Sequence, residues 1–212
     1  MDKIDILKKL GEEKLVAVIR AESQEQGFAV VDAVKNGGIK FLEITLTVPG
    51  AVDIIAQLVK KYKGQEVFIG AGTVLDPETA RIAILAGASY IVSPYFCPDT
   101  IRMCNRYRVP VIPGCQTVRE IVQSLEAGAD VIKVFPGDAY SPNIIKSFKG
   151  PIPQGHYMPT GGVSISNVKD WLAAGAYAVG TGGSLTAGAK TGDYARVTQE
   201  AKKFVDEVAK FK

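Results

Sequence analysis

The sequence predicts an α/β fold, a (β/α)8 TIM barrel with an N-terminal capping helix, and three observations point to it. Eight short runs rich in β-branched and apolar residues recur along the chain, stretches of helical periodicity separate them, and four of those stretches end on a glycine. Near-continuous apolar runs suit parallel strands buried on both faces, and regular alternation of strand and helix implies a parallel sheet. Eight such units suggest closure into a barrel. A chain of 212 residues fits one domain, read here as spanning 1–212 with no linker, low-complexity tract or second unit.

The elements follow in order. Residues 3–12 form a polar amphipathic helix expected to cover the bottom of the barrel. The strands are expected at 16–20, 41–45, 67–73, 90–94, 109–113, 131–135, 157–160 and 177–180. Ser23 with Gln26 and Thr117 with Glu120 have the spacing of capping boxes, while Asp76-Pro77 and Ser141-Pro142 place an N-cap before a proline at the first helical position. Gly37-Gly38, Gly87, Gly128 and Gly175 close helices and lead into strands two, four, six and eight.

Composition narrows the function. Hydrophobic residues make up 47% and charged residues 22%, ordinary values for a globular protein, so disorder and fibrous repeats are excluded. The net charge of +3 is scattered and forms no basic stripe, so no nucleic-acid partner is expected. No run approaches the roughly 18 apolar residues of a membrane span, and the segment from Met1 to Asp5 does not read as a signal peptide, which places the chain in the cytoplasm without a membrane partner. Cys97, Cys104 and Cys115 do not make a disulfide framework and are read as reduced, small hydrophobes. With His156 as the one histidine, no metal site is expected.

In a barrel of this kind the active site lies at the carboxyl ends of the strands. The polar residues expected there are Arg20, Glu43, Thr45, Thr47, Thr73, Lys133 and Thr160, together with glycine loops after strands seven and eight. Lys133 lies within an apolar strand. Burial there would lower its pKa and leave the neutral amine that attacks a carbonyl, although a lysine stem lining the barrel, with its ammonium in solvent or paired with Glu43, is the structural alternative. Glu43 holds the matching position in strand two. It suits a proton shuttle beside an imine-forming amine, or a counter-ion for Lys133 or Arg20. Gly161-Gly162 and Gly182-Gly183-Ser184 read as backbone N–H cradles for a phosphate, with the Ser184 hydroxyl facing the same anion. His156, at the opposite end of its strand, and Trp171, at helical spacing among leucine and alanine, are read as structural.

The strings Leu-Glu-Ile-Thr-Leu-Thr at 42–47, Gly-Ala-Gly-Thr-Val-Leu at 70–75, Val-Ser-Pro at 92–94, Ile-Pro-Gly at 112–114, Ile-Lys-Val-Phe-Pro at 132–136 and Pro-Thr-Gly-Gly-Val at 159–163 carry a resemblance. In order and over nearly the whole chain, they resemble the 2-keto-3-deoxy-6-phosphogluconate (KDPG) and 4-hydroxy-2-oxoglutarate (KHG) aldolases. The resemblance implies a class I aldolase that cleaves 2-dehydro-3-deoxy-6-phosphogluconate to pyruvate and D-glyceraldehyde 3-phosphate, with 4-hydroxy-2-oxoglutarate as a further substrate. It assigns the imine to Lys133 and acid/base work to Glu43. Thr73 and Thr160 would surround the pyruvate carboxylate, with Pro94 and Phe135 in the same subsite, and Gly161, Gly162, Gly182, Gly183 and Ser184 would hold the phosphate.

The same resemblance implies a homotrimer that needs no metal and no cofactor beyond the covalent imine on Lys133. Where many such enzymes carry an arginine this chain has Thr47, and Arg20 is assigned the missing positive charge. The galactonate-derived epimer is the rival substrate, and the Pro-Thr-Gly-Gly string favours the gluconate type. A phosphate-binding barrel isomerase or a phosphometabolite sensor would share the fold and the glycine loops, but neither needs Lys133 beside Glu43.

Overall fold

In the computed structural model, which describes residues 2–211, parallel strands alternate with helices. The strands are β1 (Leu15–Ile19), β2 (Phe41–Thr45), β3 (Phe68–Gly72), β4 (Ile91–Val92), β5 (Val111–Ile112), β6 (Gly114–Cys115), β7 (Ile132–Val134), β8 (Tyr157–Pro159) and β9 (Val179–Thr181). The helices are α1 (Lys3–Glu13), α2 (Gln24–Asn36), α3 (Ala51–Lys61), α4 (Pro77–Leu85), α5 (Pro98–Arg106), α6 (Val118–Glu126), α7 (Asn143–Lys149), α8 (Val168–Ala173), α9 (Gly183–Thr186) and α10 (Tyr194–Ala209). Residues 1 and 212, the ends of the expected domain, lie outside the described residues.

The strands form a six-stranded sheet in the order β5-β4-β3-β2-β1-β9 and a three-stranded sheet in the order β6-β7-β8, all parallel. The expected fifth strand, 109–113, is confined to β5, and an unexpected short strand, β6, follows it. Pro113 stands between β5 and β6 and has no N–H for the ladder, so pairing stops there and resumes at Gly114 against Lys133. The Pro113 carbonyl still accepts from the Lys133 N–H at 2.9 Å. A single bridge between Thr160 and Gly180 links β8 to β9. The fourth strand is shorter than the sequence suggests, and the last begins two residues later, at Val179.

Alternation along the strands sorts the apolar residues into two clusters. Ala17 and Ile19, Leu42 and Ile44, Ile69 and Ala71, and Ile132 and Val134 pack against the helices. Their neighbours Val16, Phe41, Phe68, Tyr90, Val92, Ile112, Val131, Met158 and Ala178 form an inner cluster on the concave face, which Ile6 and Leu10 of α1 join. Phe41 stacks on Phe68 with ring centroids 4.4 Å apart. Burying a side chain of this size contributes about 1.5–3 kcal/mol, so the inner cluster anchors α1 against the sheet. Just before the strands, the exposed edge is laced by ion pairs. Lys3 meets Asp130 at 2.9 Å, and Lys40 bridges Glu13 and Glu66 at 2.8 and 2.6 Å.

The helix signals hold with two corrections. Thr117 and Glu120 form the reciprocal capping box, and Asp76 caps Thr79 ahead of Pro77. Ser23 accepts from the Gln26 N–H, but the Gln26 side chain returns to the N–H of Glu22, so the second half of that box closes one residue early. Ser141 does not cap α7. Pro142 is the N-cap residue, and the Ser141 carbonyl, not its hydroxyl, is engaged, accepting from Ile144.

The glycine stops share one geometry. Gly38, Gly87, Gly128 and Gly175 have φ between 93° and 100°. In each case the next residue donates back to a carbonyl five residues earlier, from Ile39 to Val34, Ala88 to Ala83, Ala129 to Ser124 and Ala176 to Trp171. After α5 the same bond runs from Val109 to Cys104 with Arg108 at φ 54°, a stop that a search for glycine does not find.

Candidate active site

The inner face carries the chemistry. Continuing from the inner cluster toward the carboxyl ends, every second residue gives Arg20 after Val18, Glu43 after Phe41, Pro94 after Val92, Lys133 after Val131 and Thr160 after Met158. Glu43 and Lys133 are 1% and 5% exposed, and among the described residues they are the two buried side chains of the Asp, Glu, Lys and Arg types. Such burial is expected only where a group is paired or functional.

Their environments push them toward their neutral forms. Burial raises the pKa of Glu43, opposed by the positive charges of Lys133 and Arg20. Burial lowers the pKa of Lys133, opposed by Glu43 and assisted by Arg20. Neither Glu43 oxygen has a hydrogen-bond partner among the described residues, so the two groups interact through their fields and not as a contact pair. The Lys133 ammonium lies 4.7 Å from the centroid of the Phe135 ring, which covers the amine and stabilises its charged form through the ring face.

Glycines make the room. A Cβ at Gly72 would lie 2.0 Å from Glu43 Oε1, and one at Gly180 would lie 2.4 Å from Thr160 Oγ1. Strand positions that would ordinarily be filled are emptied so that functional side chains can cross the concave face. Thr160 is 5% exposed and its hydroxyl also has no partner among the described residues.

A cavity of about 360 Å³ is lined by Arg20, Phe135, Thr160, Gly161, Gly162, Gly182, Gly183 and Ser184, with Val18, Pro136, Asp138, Val163 and Ser164, while Glu43 and Lys133 themselves do not line it. Eight of the residues singled out from the sequence therefore converge. A neighbouring cavity of about 260 Å³ shares Phe135 and contains Pro94, Gly114 and Glu120. A third, of about 320 Å³, shares Arg20, Gly182 and Gly183 and ends at Gln26 and Lys190. Thr73 lines none of the three. It follows β3 with φ 56°, a conformation strained for a β-branched residue, and such strain is retained where the surroundings impose it.

Ser184 departs from expectation. Its hydroxyl donates to the Val163 carbonyl at 2.7 Å and lies 3.1 Å from the Thr181 hydroxyl, so it ties the two glycine loops together and does not face the cavity as a free donor. The sequence could not reveal this, because the acceptor lies 21 residues upstream on another loop. Gly161 and Gly162 have φ 97° and 68° and precede a turn, not a helix start. Asn167 holds that turn by donating to the Gly162 carbonyl at 2.8 Å and accepting from the Ser164 N–H at 2.9 Å. Asp138, Gln26 and Lys190 had no signal in a search for strand-end residues, since they reach the cavities from loops and a helix.

The structural assignments of the other residues agree with their positions. His156 is exposed before β8 and stacks on Tyr177 with centroids 4.3 Å apart, while Trp171 is 2% exposed in the outer cluster. Cys97, Cys104 and Cys115 are free thiols, and no helix of the described residues is long and apolar enough to cross a membrane.

Residues 6–200 match the family model described as KDPG and KHG aldolase. The chain is 35% identical over 192 residues to the 2-dehydro-3-deoxy-6-phosphogalactonate aldolase of Escherichia coli (strain K12), covering 90% of this chain and 92% of that one. It is 36% identical over 163 residues to the 2-dehydro-3-deoxy-phosphogluconate aldolase of Pseudomonas aeruginosa, covering 76% of this chain and 73% of that one. It is also similar to a solved structure of the KDPG aldolase from Legionella pneumophila with pyruvate captured at low pH as a covalent carbinolamine intermediate. That similarity has a TM-score of 0.83 at 27% identity and covers 91% of this chain and 94% of that one.

Proposed function

The chain belongs to the KDPG and KHG aldolase family, and is therefore an aldolase and a lyase, and on that premise we propose that it cleaves 2-dehydro-3-deoxy-6-phosphogluconate through an imine on Lys133. The observation that carries the reading is the buried, electrostatically coupled pair of Lys133 and Glu43 on the set of parallel strands that also supplies Arg20, Phe135 and Thr160 to a cavity rimmed by two glycine loops.

The neutral amine of Lys133 adds to the C2 carbonyl, and the carbinolamine hydroxyl takes a proton from Glu43 and leaves as water, which gives a protonated imine and an ionised Glu43. Glu43 removes the C4 hydroxyl proton as the C3–C4 bond breaks, and its electrons move into the imine to form an enamine. D-Glyceraldehyde 3-phosphate leaves. Glu43 returns a proton to C3, and water releases pyruvate and restores the amine. No metal and no dissociable cofactor takes part in this scheme. Arg20 balances the substrate carboxylate or phosphate, Thr160 offers its unpartnered hydroxyl to the pyruvate unit, and the N–H groups around Gly161-Gly162 and Gly182-Gly183 face the phosphate. Pro94, Phe135 and Thr73 bound the pyruvate end.

Mass analysis after borohydride reduction with pyruvate tests this. One reduced pyruvyl group on Lys133, lost in Lys133→Ala, is the expected result, and an adduct elsewhere overturns it. The 35% identity to a galactonate-type enzyme supports the epimeric substrate as a second reading, and relative kcat/KM on the two epimers decides between them. Rates on 4-hydroxy-2-oxoglutarate extend the comparison.

We read the two sheets as one closed (β/α)8 barrel, with continuity through Pro113 and the Thr160–Gly180 bridge as support and α1 as its bottom cap. The reading also includes a homotrimer in the cytoplasm. Free thiols suit a reducing compartment, and exposed Leu75, Ile82, Leu85, Val118 and Val122 offer an apolar surface for self-association.

A further inference from the structure

Beneath Glu43 lies a second buried group without a partner. The Tyr90 side chain is 1% exposed, and its hydroxyl has no hydrogen-bond partner among the described residues. Tyrosine hydroxyls that are buried normally find one, because leaving a polar group unpaired costs much of its desolvation penalty.

Tyr90 and Glu43 converge on the same stretch of β3. Glu43 pairs with Gly70 across the sheet, and the pairing of Ala71 with Ile91 puts Tyr90 on the other side of that glycine. A Cβ at Gly70 would lie 2.3 Å from Cζ of Tyr90, and one at Gly72 would lie 2.0 Å from Oε1 of Glu43. Two residues along one strand face span about 7 Å, so the phenol end and the carboxyl occupy adjacent glycine-emptied spaces. A side chain larger than hydrogen at residue 70 would collide with the Tyr90 ring and drive it from this place. A site with polar groups on both sides suits a buried water.

We propose that Tyr90 is a positioning residue for Glu43: its phenol, through one buried water, donates a hydrogen bond that favours the ionised carboxylate. This rests on the proposed role of Glu43 in moving the proton at pyruvate C3. The charged groups acting on Glu43 from the other elements are Lys133 on β7 and Arg20 at the end of β1, and both favour its ionised form as well. They oppose the burial that would hold it neutral. Tyr90 adds a donor that stays protonated, since burial first and the Glu43 charge second raise its pKa well above the ordinary value.

The test is the pH profile of deuterium exchange into pyruvate C3 in wild type and Tyr90→Phe, with borohydride trapping of pyruvate measured alongside. The variant keeps the ring and loses the donor, so the acidic limb should move upward by about one unit, a roughly tenfold lower exchange rate on that limb. Trapping on Lys133 should remain at the wild-type level. Gly70→Ala, which forces the ring aside, should move the limb in the same direction. Superimposable limbs, or a uniform fall at every pH without a shift, overturn the proposal. Absence of trapping and exchange in the wild type itself would instead overturn the aldolase reading on which it depends.

Discussion

The two ends of the strands solve the burial of polar groups in opposite ways. At the amino ends the charges are satisfied: Lys3 meets Asp130, which also accepts from the Val111 N–H at 3.1 Å, and Lys40 joins Glu13 to Glu66. Beneath them Ile6 and Leu10 pack on Phe41 and Phe68. At the carboxyl ends Glu43 and Thr160 hold buried oxygens without partners among the described residues, and Thr73 has a strained backbone. A buried group left unmet calls for an explanation, and a ligand or a proton that completes it is one. The contrast therefore says which end stabilises the molecule and which end does the chemistry.

Substitutions at each end can break that contrast. The largest effect expected is for Lys133→Ala, which should cut turnover by on the order of 10⁴ to 10⁶, the scale of a lost nucleophile, while thermal unfolding shifts little because the Glu43 carboxyl, already pushed toward its neutral form by burial, stays protonated once the neighbouring cation is gone. A large loss of stability would mean that Lys133 holds the barrel together. Next is Glu43→Gln, for which exchange at pyruvate C3 should slow by about 10² to 10⁴ while trapping by borohydride survives. Exchange near the wild-type rate would reduce Glu43 to a counter-ion.

Smaller effects sharpen the boundary. Gly72→Ala puts a methyl against Glu43 Oε1 and should lower kcat by roughly 10²-fold, the cost of displacing a reacting group by about 1 Å. If kcat is unchanged, the carboxylate does not need its present place. Ser184→Ala leaves the Val163 carbonyl with the Thr181 hydroxyl alone, at 3.2 Å, and loosens the tie between the loops. KM for the phosphorylated substrate should rise by a few-fold, about 0.5–1.5 kcal/mol, with little change on 4-hydroxy-2-oxoglutarate. Equal changes on both substrates would place the tie's influence at the pyruvate end.

The smallest effect belongs to the amino ends. Hydrogen bonds from Lys40 and then Lys9 lower the pKa of Glu66 from 4.5 to about 2. A depressed carboxylate contributes stability that is full above 4.5 and lost as pH falls toward about 2. Glu66 is 42% exposed, so solvent screening keeps the contribution of the cluster to about 1 kcal/mol or less. Lys40→Met should flatten that acid limb of the unfolding curve and leave kcat untouched. A change in kcat would show that the two ends are coupled.

Much of this was legible in the residues themselves. Lys133 and Glu43 stand out because a charge in an apolar run has to be explained, and the repeated glycine stops announce the strands they feed. Other features depend on partners that only folding brings together. Ser184 chooses a carbonyl from a different loop, Gln26 returns to Glu22 in place of Ser23, and Pro113 separates β5 from β6 because the neighbouring ladder needs an N–H that it lacks. Arg108 closes α5 with a positive φ that glycine would ordinarily supply. Tyr90 reads as one more core aromatic until Gly70 and Gly72 are seen to leave space beside it.

The alternation that separates the inner and outer clusters also sets what lengths this chain tolerates. Removing one residue between Phe41 and Glu43, or between Val131 and Lys133, would exchange the faces of everything that follows in that strand and turn the carboxylate or the amine outward among the helices. The same removal in the turn after α3, around Gly64, where a Cβ would meet nothing within 4 Å, changes no face at all. Across a family, insertions and deletions should then accumulate in the connections and avoid the strands, even strands of two or three residues. A library of single-codon deletions would draw that map directly, with growth or turnover vanishing in narrow bands spaced by whole helices.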